Sequence, residues 1–238
     1  MGPDFERKCL IPRTMSQPAD DEVALLRRKL FAPEPRLSAQ TFRIDRQHNV
    51  YTCGDEDRMI YCILRGHIKL VIDSREGKEC LLDIYSSGDF FGESCLAGLS
   101  FRVETATAME DAVLKRINCQ RFVASLSEAE LHGFIRQLNK RMVEQQLFIT
   151  DMVTMGSEYR LGKVLLRLSA RLGKEHPLGT ILDCRISQEE LSHMVGTTRP
   201  RVNEFINKFR KLGLIHSSAG KLIIIREADL AGYLSSIS

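Results

Sequence analysis

The stretch ISQEELSHMVGTTRPRVNEFINKFRKLGLI, residues 186–215, leaves this chain fewer folding options than any other part of it. Ser187 and Glu190 form a capping box, each side chain serving the other's free backbone N–H, and open a short helix through Met194. Gly196 supplies the left-handed residue of a tight turn. Thr197 or Thr198 then caps a second helix, with Pro200 tolerated in a first turn whose N–H groups have no intrahelical partner. Val202, Ile206 and Phe209 fall on one face of that helix, leaving Arg199, Arg201 and Asn203 near its exposed N-terminal part. Helix, glycine turn and a second helix opening on cations is a layout that enters a DNA major groove. Arginine forks onto guanine O6 and N7 or grips phosphate, and asparagine pairs with adenine. The runs LIHSS and KLIII around Ser217-Ser218-Ala219-Gly220 read as the two strands of a winged variant.

Charge points the same way. Residues 156–226 hold 13 Lys and Arg against 6 Asp and Glu, a balance of +7 in a chain of net +3, so the remainder carries −4. Only the C-terminal part is set up to meet a polyanion. With 238 residues, 43% of them hydrophobic and 27% charged, the chain is long enough for one large domain or two modest ones and is not a disordered one. Seven cysteines at irregular spacing argue against a disulfide framework and for a reducing compartment. No apolar run approaches the ~20 residues that cross a bilayer, and the first residues lack the pattern of a signal peptide. The expectation is a cytoplasmic chain without a membrane partner.

Upstream, residues 1–36 read as a loosely packed arm with one helical run over residues 22–30. Over residues 37–118 the texture changes to β-rich runs, RMIYCIL, HIKLVI, ECLLDIY and AVLKRI. Turn signals such as Cys53-Gly54-Asp55, Arg75-Glu76-Gly77-Lys78 and Ser86-Ser87-Gly88-Asp89 separate them. Short strands at that spacing predict an antiparallel sandwich or barrel. No GxSxG, HExxH or Walker pattern occurs, so no enzyme is expected. A long helix follows, in which Leu131, Ile135, Leu138, Met142, Gln145, Ile149 and Met152 recur at alternating spacings of four and three. That seam predicts packing against a partner helix, with Gln145 as its one polar break. Residues 160–170 read as another amphipathic helix, and those from 171 to 183 as a polar loop. The divisions expected are 1–36, 37–126, 127–155 and 156–238.

With these motifs in hand, the chain resembles the CRP/FNR family of bacterial transcription regulators over about residues 37–226. Ser187-Gln188-Glu189-Glu190, Val195-Gly196 and Thr198-Arg199 are similar to that family's recognition motif. Gly88-Asp89-Phe90-Phe91-Gly92-Glu93, through Arg102-Val103-Glu104-Thr105-Ala106-Thr107-Ala108, is similar to its phosphate-binding cassette. The resemblance implies an α+β chain: an N-terminal antiparallel β-roll of the double-stranded β-helix or jelly-roll type, a long dimerisation helix and a C-terminal winged helix-turn-helix. It implies a homodimer on double-stranded DNA with an inverted repeat, with RNA polymerase as a further partner. Effector-binding positions carried over are Gly92, Glu93, Ser94, Arg102 and Val103, with Arg141, Gln145 and Gln146 from the long helix. DNA-binding positions are Ser187, Thr198, Arg199, Arg201, Asn203 and Lys208. Pro200 stands where the family reads a base with glutamate, and Glu204 where the best-known member has arginine, so the half-site should differ.

The cassette also has a physical reading of its own. Gly92 opens a helical turn whose free N–H groups can hold an anion, and Arg102 can fork onto a phosphate. By the resemblance, Glu93 accepts from a ribose hydroxyl. Val103 stands where cAMP-binding members carry Ser or Thr, and it cannot donate. A cyclic nucleotide (cAMP or cGMP), another ligand, or a degenerate sensor with Arg102 paired locally, for instance to Glu104, are all compatible with these residues. So is a cyclic-nucleotide-binding regulatory subunit that never meets DNA, although such subunits lack a winged helix. No metal, haem or iron–sulfur cofactor is expected: only Cys9 precedes Cys53, and His67, Cys80 and Cys95 are isolated on strands. Thiol sensing would need an exposed cysteine of low pKa.

Overall fold

Short apolar-rich runs, separated by glycine turns, fold residues 40–118 into eight strands. They are β1 (Gln40–Ile44), β2 (Asn49–Tyr51), β3 (Met59–Arg65), β4 (Ile68–Asp73), β5 (Glu79–Tyr85), β6 (Phe90–Phe91), β7 (Thr105–Ala108) and β8 (Ala112–Asn118). The computed structural model describes residues 18–31, 39–218, 220–224 and 226–237. The strands form two antiparallel sheets, in the orders β1-β8-β3-β6 and β2-β7-β4-β5. Their inner faces bury Tyr51, Tyr61, Ile63, Ile68, Phe91 and Leu114 in one cluster. Two facing antiparallel sheets agree with the sandwich or barrel that the strand texture predicts and with the β-roll that the resemblance implies. The shorter strands β1, β2, β6 and β7 are not readable as separate runs, because they are defined by pairing across the roll.

Ahead of the roll, helix α1 (Pro18–Phe31) departs from the expectation of a loose arm. Its Leu26 and Leu30 are fully buried, in a cluster with Phe122 and Phe134, and Arg136 reaches back to Glu22 at 2.9 Å. Burying two leucines contributes roughly 3–6 kcal/mol. The rest of the expected arm, residues 1–17 and 32–36, lies outside the described residues.

After α2 (Cys119–Ala124) comes the long helix α3 (Glu128–Thr154), opened by a capping box of Ser127 and Glu130. The predicted seam divides into two rows. Leu138 packs on the roll, Gln145 borders a cavity, and Met152 lies where a side chain at Gly196 would strike it, at 2.6 Å. Ile135, Met142 and Ile149 instead face outward, 46%, 49% and 61% exposed. One row of the seam therefore serves the chain's own domains and the other is an open apolar stripe.

The C-terminal part comprises α4 (Ser157–Leu172), β9 (Gly173–His176), β10 (Gly179–Leu182), α5 (Gln188–Val195), α6 (Arg199–Lys211), β11 (Ile215–Ser218), β12 (Lys221–Ile224) and α7 (Glu227–Ser236). The segment expected to be a loop after α4 is the hairpin β9–β10. It joins the wing strands in a sheet ordered β11-β12-β10-β9, through pairs such as Thr180 with Ile224 that no local pattern announces. Leu161, Leu165, Leu191, Val202, Ile206 and Phe209 form this domain's core, and the same cluster takes in Val71, Leu81 and Ile84 from the roll. Lys69 meets Glu190 at 3.2 Å, and Arg171 pairs with Asp83 and Asp89. The winged helix thus rests against β4 and β5.

Candidate functional site

On α5 and α6 the local chemistry produces the expected geometry. Ser187 Oγ accepts from the Glu190 N–H at 3.1 Å while the Glu190 carboxylate accepts from the Ser187 N–H at 2.9 Å. Gly196 ends α5 at φ 65°, the left-handed region, and Thr198 stands at the N-cap of α6 without a side-chain cap bond. Val202, Ile206 and Phe209 are buried to 1% or less. The opposite face carries Arg199, Arg201 and Asn203, all exposed. Arg201 makes no hydrogen bond or ion pair among the described residues. Arg199 has only a 4.0 Å approach to Glu189, and Asn203 accepts from Gln188 at 3.1 Å. Lys208 behaves differently. It pairs with Glu158 at 2.8 Å, whose hydrogen bond raises its pKa, so it is partly engaged within its own domain. Arg210, not singled out from sequence, ties α6 to the wing through Ser217 Oγ at 2.6 Å.

The second site lies inside the roll, where a cavity of about 300 Å³ opens between the cassette, α3 and α4. Of the expected effector residues, Gly92, Glu93, Ser94, Val103, Arg141 and Gln145 line it. Gln146 is exposed on α3 outside its wall. Arg102 is also placed elsewhere. It is 1% exposed, and its guanidinium donates to Asp57 at 2.8 Å and 3.2 Å, to the carbonyls of Gly92 (2.6 Å) and Met59 and to Ser94 Oγ at 3.2 Å. It also stacks 4.2 Å above the Tyr51 ring. Burial is the largest influence and works against this charge, but the Asp57 hydrogen bond together with the neighbouring Tyr51, Asp57 and Cys95 outweighs it and holds the pKa above its ordinary value. The local partner expected for a relic cassette was Glu104; the partner in the fold is Asp57 on the loop before β3. Gly92 is required here, because at φ 84° an added Cβ would lie 2.9 Å from the Met59 carbonyl and 3.1 Å from Arg102.

Glu93 is likewise committed, to Arg141, which also donates to the Phe90 carbonyl at 2.7 Å and lies 4.8 Å from the Tyr85 ring centroid. Sequence reasoning missed Glu104, Glu144 and Arg167, which also line the cavity. For Glu104 a signal existed. In Arg102-Val103-Glu104-Thr105-Ala106 the period of two puts Glu104 on the inward face with Arg102 and Ala106. The thiols of Cys62 and Cys184, both buried, and of half-buried Cys95 are each pushed up to about 12, foremost by burial. A redox-sensing thiol needs the opposite shift.

Comparison with known proteins assigns both halves. Residues 42–128 match the cyclic nucleotide-binding domain model and residues 159–233 the Crp-like helix-turn-helix domain model. The chain belongs to the CRP/FNR family. Among its relatives is a CRP-like cAMP-activated global transcriptional regulator of Mycobacterium tuberculosis, 26% identical over 187 residues that cover 77% of this chain and 83% of that one. Another is the CRP-like protein Clp of Xanthomonas campestris pv. campestris, 26% identical over 74% of this chain and 80% of its own. A crystal structure of a CRP-family transcriptional regulator from Thermus thermophilus superposes with a TM-score of 0.67 at 25% identity, covering 83% of this chain and 98% of the other. This CRP/FNR member is a CRP-like transcription regulator with one domain of each type, and its relatives are regulators rather than enzymes. Among the described residues no helix is long and apolar enough to cross a membrane.

Proposed function

We propose that this chain regulates transcription as a homodimer that sets two α6 helices into successive major grooves of an inverted-repeat DNA site, under control of a small effector held in the roll cavity. The observation that carries the DNA reading is α6 itself, a helix with one face fully buried and, on the other, Arg201 unpaired and Arg199 exposed with only a 4.0 Å approach to Glu189. Its use by a regulatory subunit without DNA would leave those cations unexplained. The open row of Ile135, Met142 and Ile149 supports pairing of two α3 helices about a two-fold axis. That axis would set the recognition helices about 34 Å apart. RNA polymerase is the partner such a dimer would meet beside its site.

For cAMP or cGMP as effector, support comes from the domain family and from the cAMP-activated relative. Against it stand the commitment of Arg102 to Asp57 and the missing hydroxyl at Val103. Selection of binding sites from random DNA tests the central reading. An enriched inverted repeat is the expected result. Failure to enrich any sequence at low salt would refute it.

A further inference from the structure

The roll cavity carries a negative charge that the chain does not neutralise. Glu104 is 5% exposed and lines the cavity. Its Oε1 accepts from the Tyr51 hydroxyl at 2.8 Å and from Ser94 Oγ at 3.0 Å. Its other oxygen has no hydrogen bond, and no cation stands within ion-pair distance, among the described residues. Arg102 is one hydroxyl away, through Ser94, but its fork is spent on Asp57 and on backbone carbonyls. Asp57, Arg102 and Glu104 therefore sum to one uncompensated negative charge. Arg141 is bound to Glu93 in the same way. Over the rest of the lining, Asp83 is paired with Arg171, which lies outside it, and Glu93, Glu104 and Glu144 share Arg141 and Arg167. A buried carboxylate without a cation is costly, and a ligand that supplies the missing charge relieves that cost.

We propose that the cavity binds a small organic cation, its ammonium head on Glu104 and its aliphatic body along Leu70, Ile72, Leu82 and Val103. This rests on the reading of the cavity as the regulator's effector site. A volume near 300 Å³ is at the small end of ligand pockets, and its walls offer an apolar track leading to one charged group. A phosphate diester is what the arrangement turns away. Set against the cassette turn it would face Glu104, with the Arg102 fork taken and no hydroxyl at Val103.

Calorimetric titration of the full chain with hexylamine and with hexanol, a neutral molecule of equal length, reads the contribution of the charge. Hexylamine is expected to bind saturably and at least about tenfold more tightly than hexanol, and cAMP to give no binding. Glu104→Gln keeps an oxygen for Tyr51 and Ser94, and should bring amine and alcohol to the same affinity. Equal affinities in the wild type would overturn the proposal, as would no saturable hexylamine binding up to about 10 mM or saturable binding of cAMP. If Glu104→Gln does not fold, the wild-type ratio of amine to alcohol still decides. DNA selection with the same preparation separates the two readings. A chain that enriches an inverted repeat but ignores the amine remains a regulator and loses the cation; one that binds the amine but no DNA loses the regulator.

Discussion

Arg199 and Arg102 each sit in a short motif that marks an arginine for an anion, and the fold treats them in opposite ways. Arg199 projects from α6 with 68% of its side chain exposed and one 4.0 Å neighbour. Arg102 is 1% exposed and makes five hydrogen bonds inside the roll. The recognition helix presents its cations because its buried apolar face sets its orientation, so they inherit the solvent side. In the cassette, orientation is set by what other strands bring close. Asp57, more than forty residues away, arrives before β3 and claims the guanidinium. A motif on one amphipathic helix keeps its chemistry wherever the helix packs, whereas a motif inside a closed sheet is answerable to every strand that faces it.

The comparison is broken most forcefully at Arg102. Arg102→Ala strands the Asp57 carboxylate and should lower stability by about 3–5 kcal/mol, read from urea unfolding. A variant as stable as the wild type, with loss of cyclic-nucleotide binding as its only defect, would make Arg102 a binding group after all. The open stripe of α3 comes next. In the proposed pairing of two α3 helices, Met142→Glu would bury a charge between them and should weaken the dimer by about 3 kcal/mol. Sedimentation should show its monomer fraction rising at micromolar concentration; a wild type already monomeric there would remove the interface. Leu138→Glu is a poor substitute, because Leu138 packs on its own roll.

On the exposed side, Arg199→Ala should relax preference at one base pair at a cost of about 1–3 kcal/mol. If the variant and the wild type enrich the same motif equally well, Arg199 only clamps phosphate. The smallest change expected is at the helix start. Ser187→Ala removes the cap from α5 and should cost about 1 kcal/mol in thermal or urea unfolding, with the selected DNA motif unchanged. A changed motif would show that Ser187 itself reaches DNA.

What the sequence alone determined was whatever neighbours in the chain could settle. The capping box of Ser187 and Glu190, the glycine turn at Gly196, the buried row Val202, Ile206 and Phe209, and strand β5 at Glu79–Tyr85 all follow from spacing within one element. Helix periodicity and cap chemistry act over a few residues, so they are written in the chain order. The tertiary structure decided the rest. It buried α1, gave the seam of α3 an inner and an outer row, and made a hairpin of residues 173–182 by pairing β10 with β12. It also turned the cassette arginine onto Asp57 and left Glu104 facing the cavity. The physical reason is the reach of charge in a dry interior. Once water is excluded, an arginine is governed by whichever carboxylate the fold brings closest, and chain order does not say which one that will be.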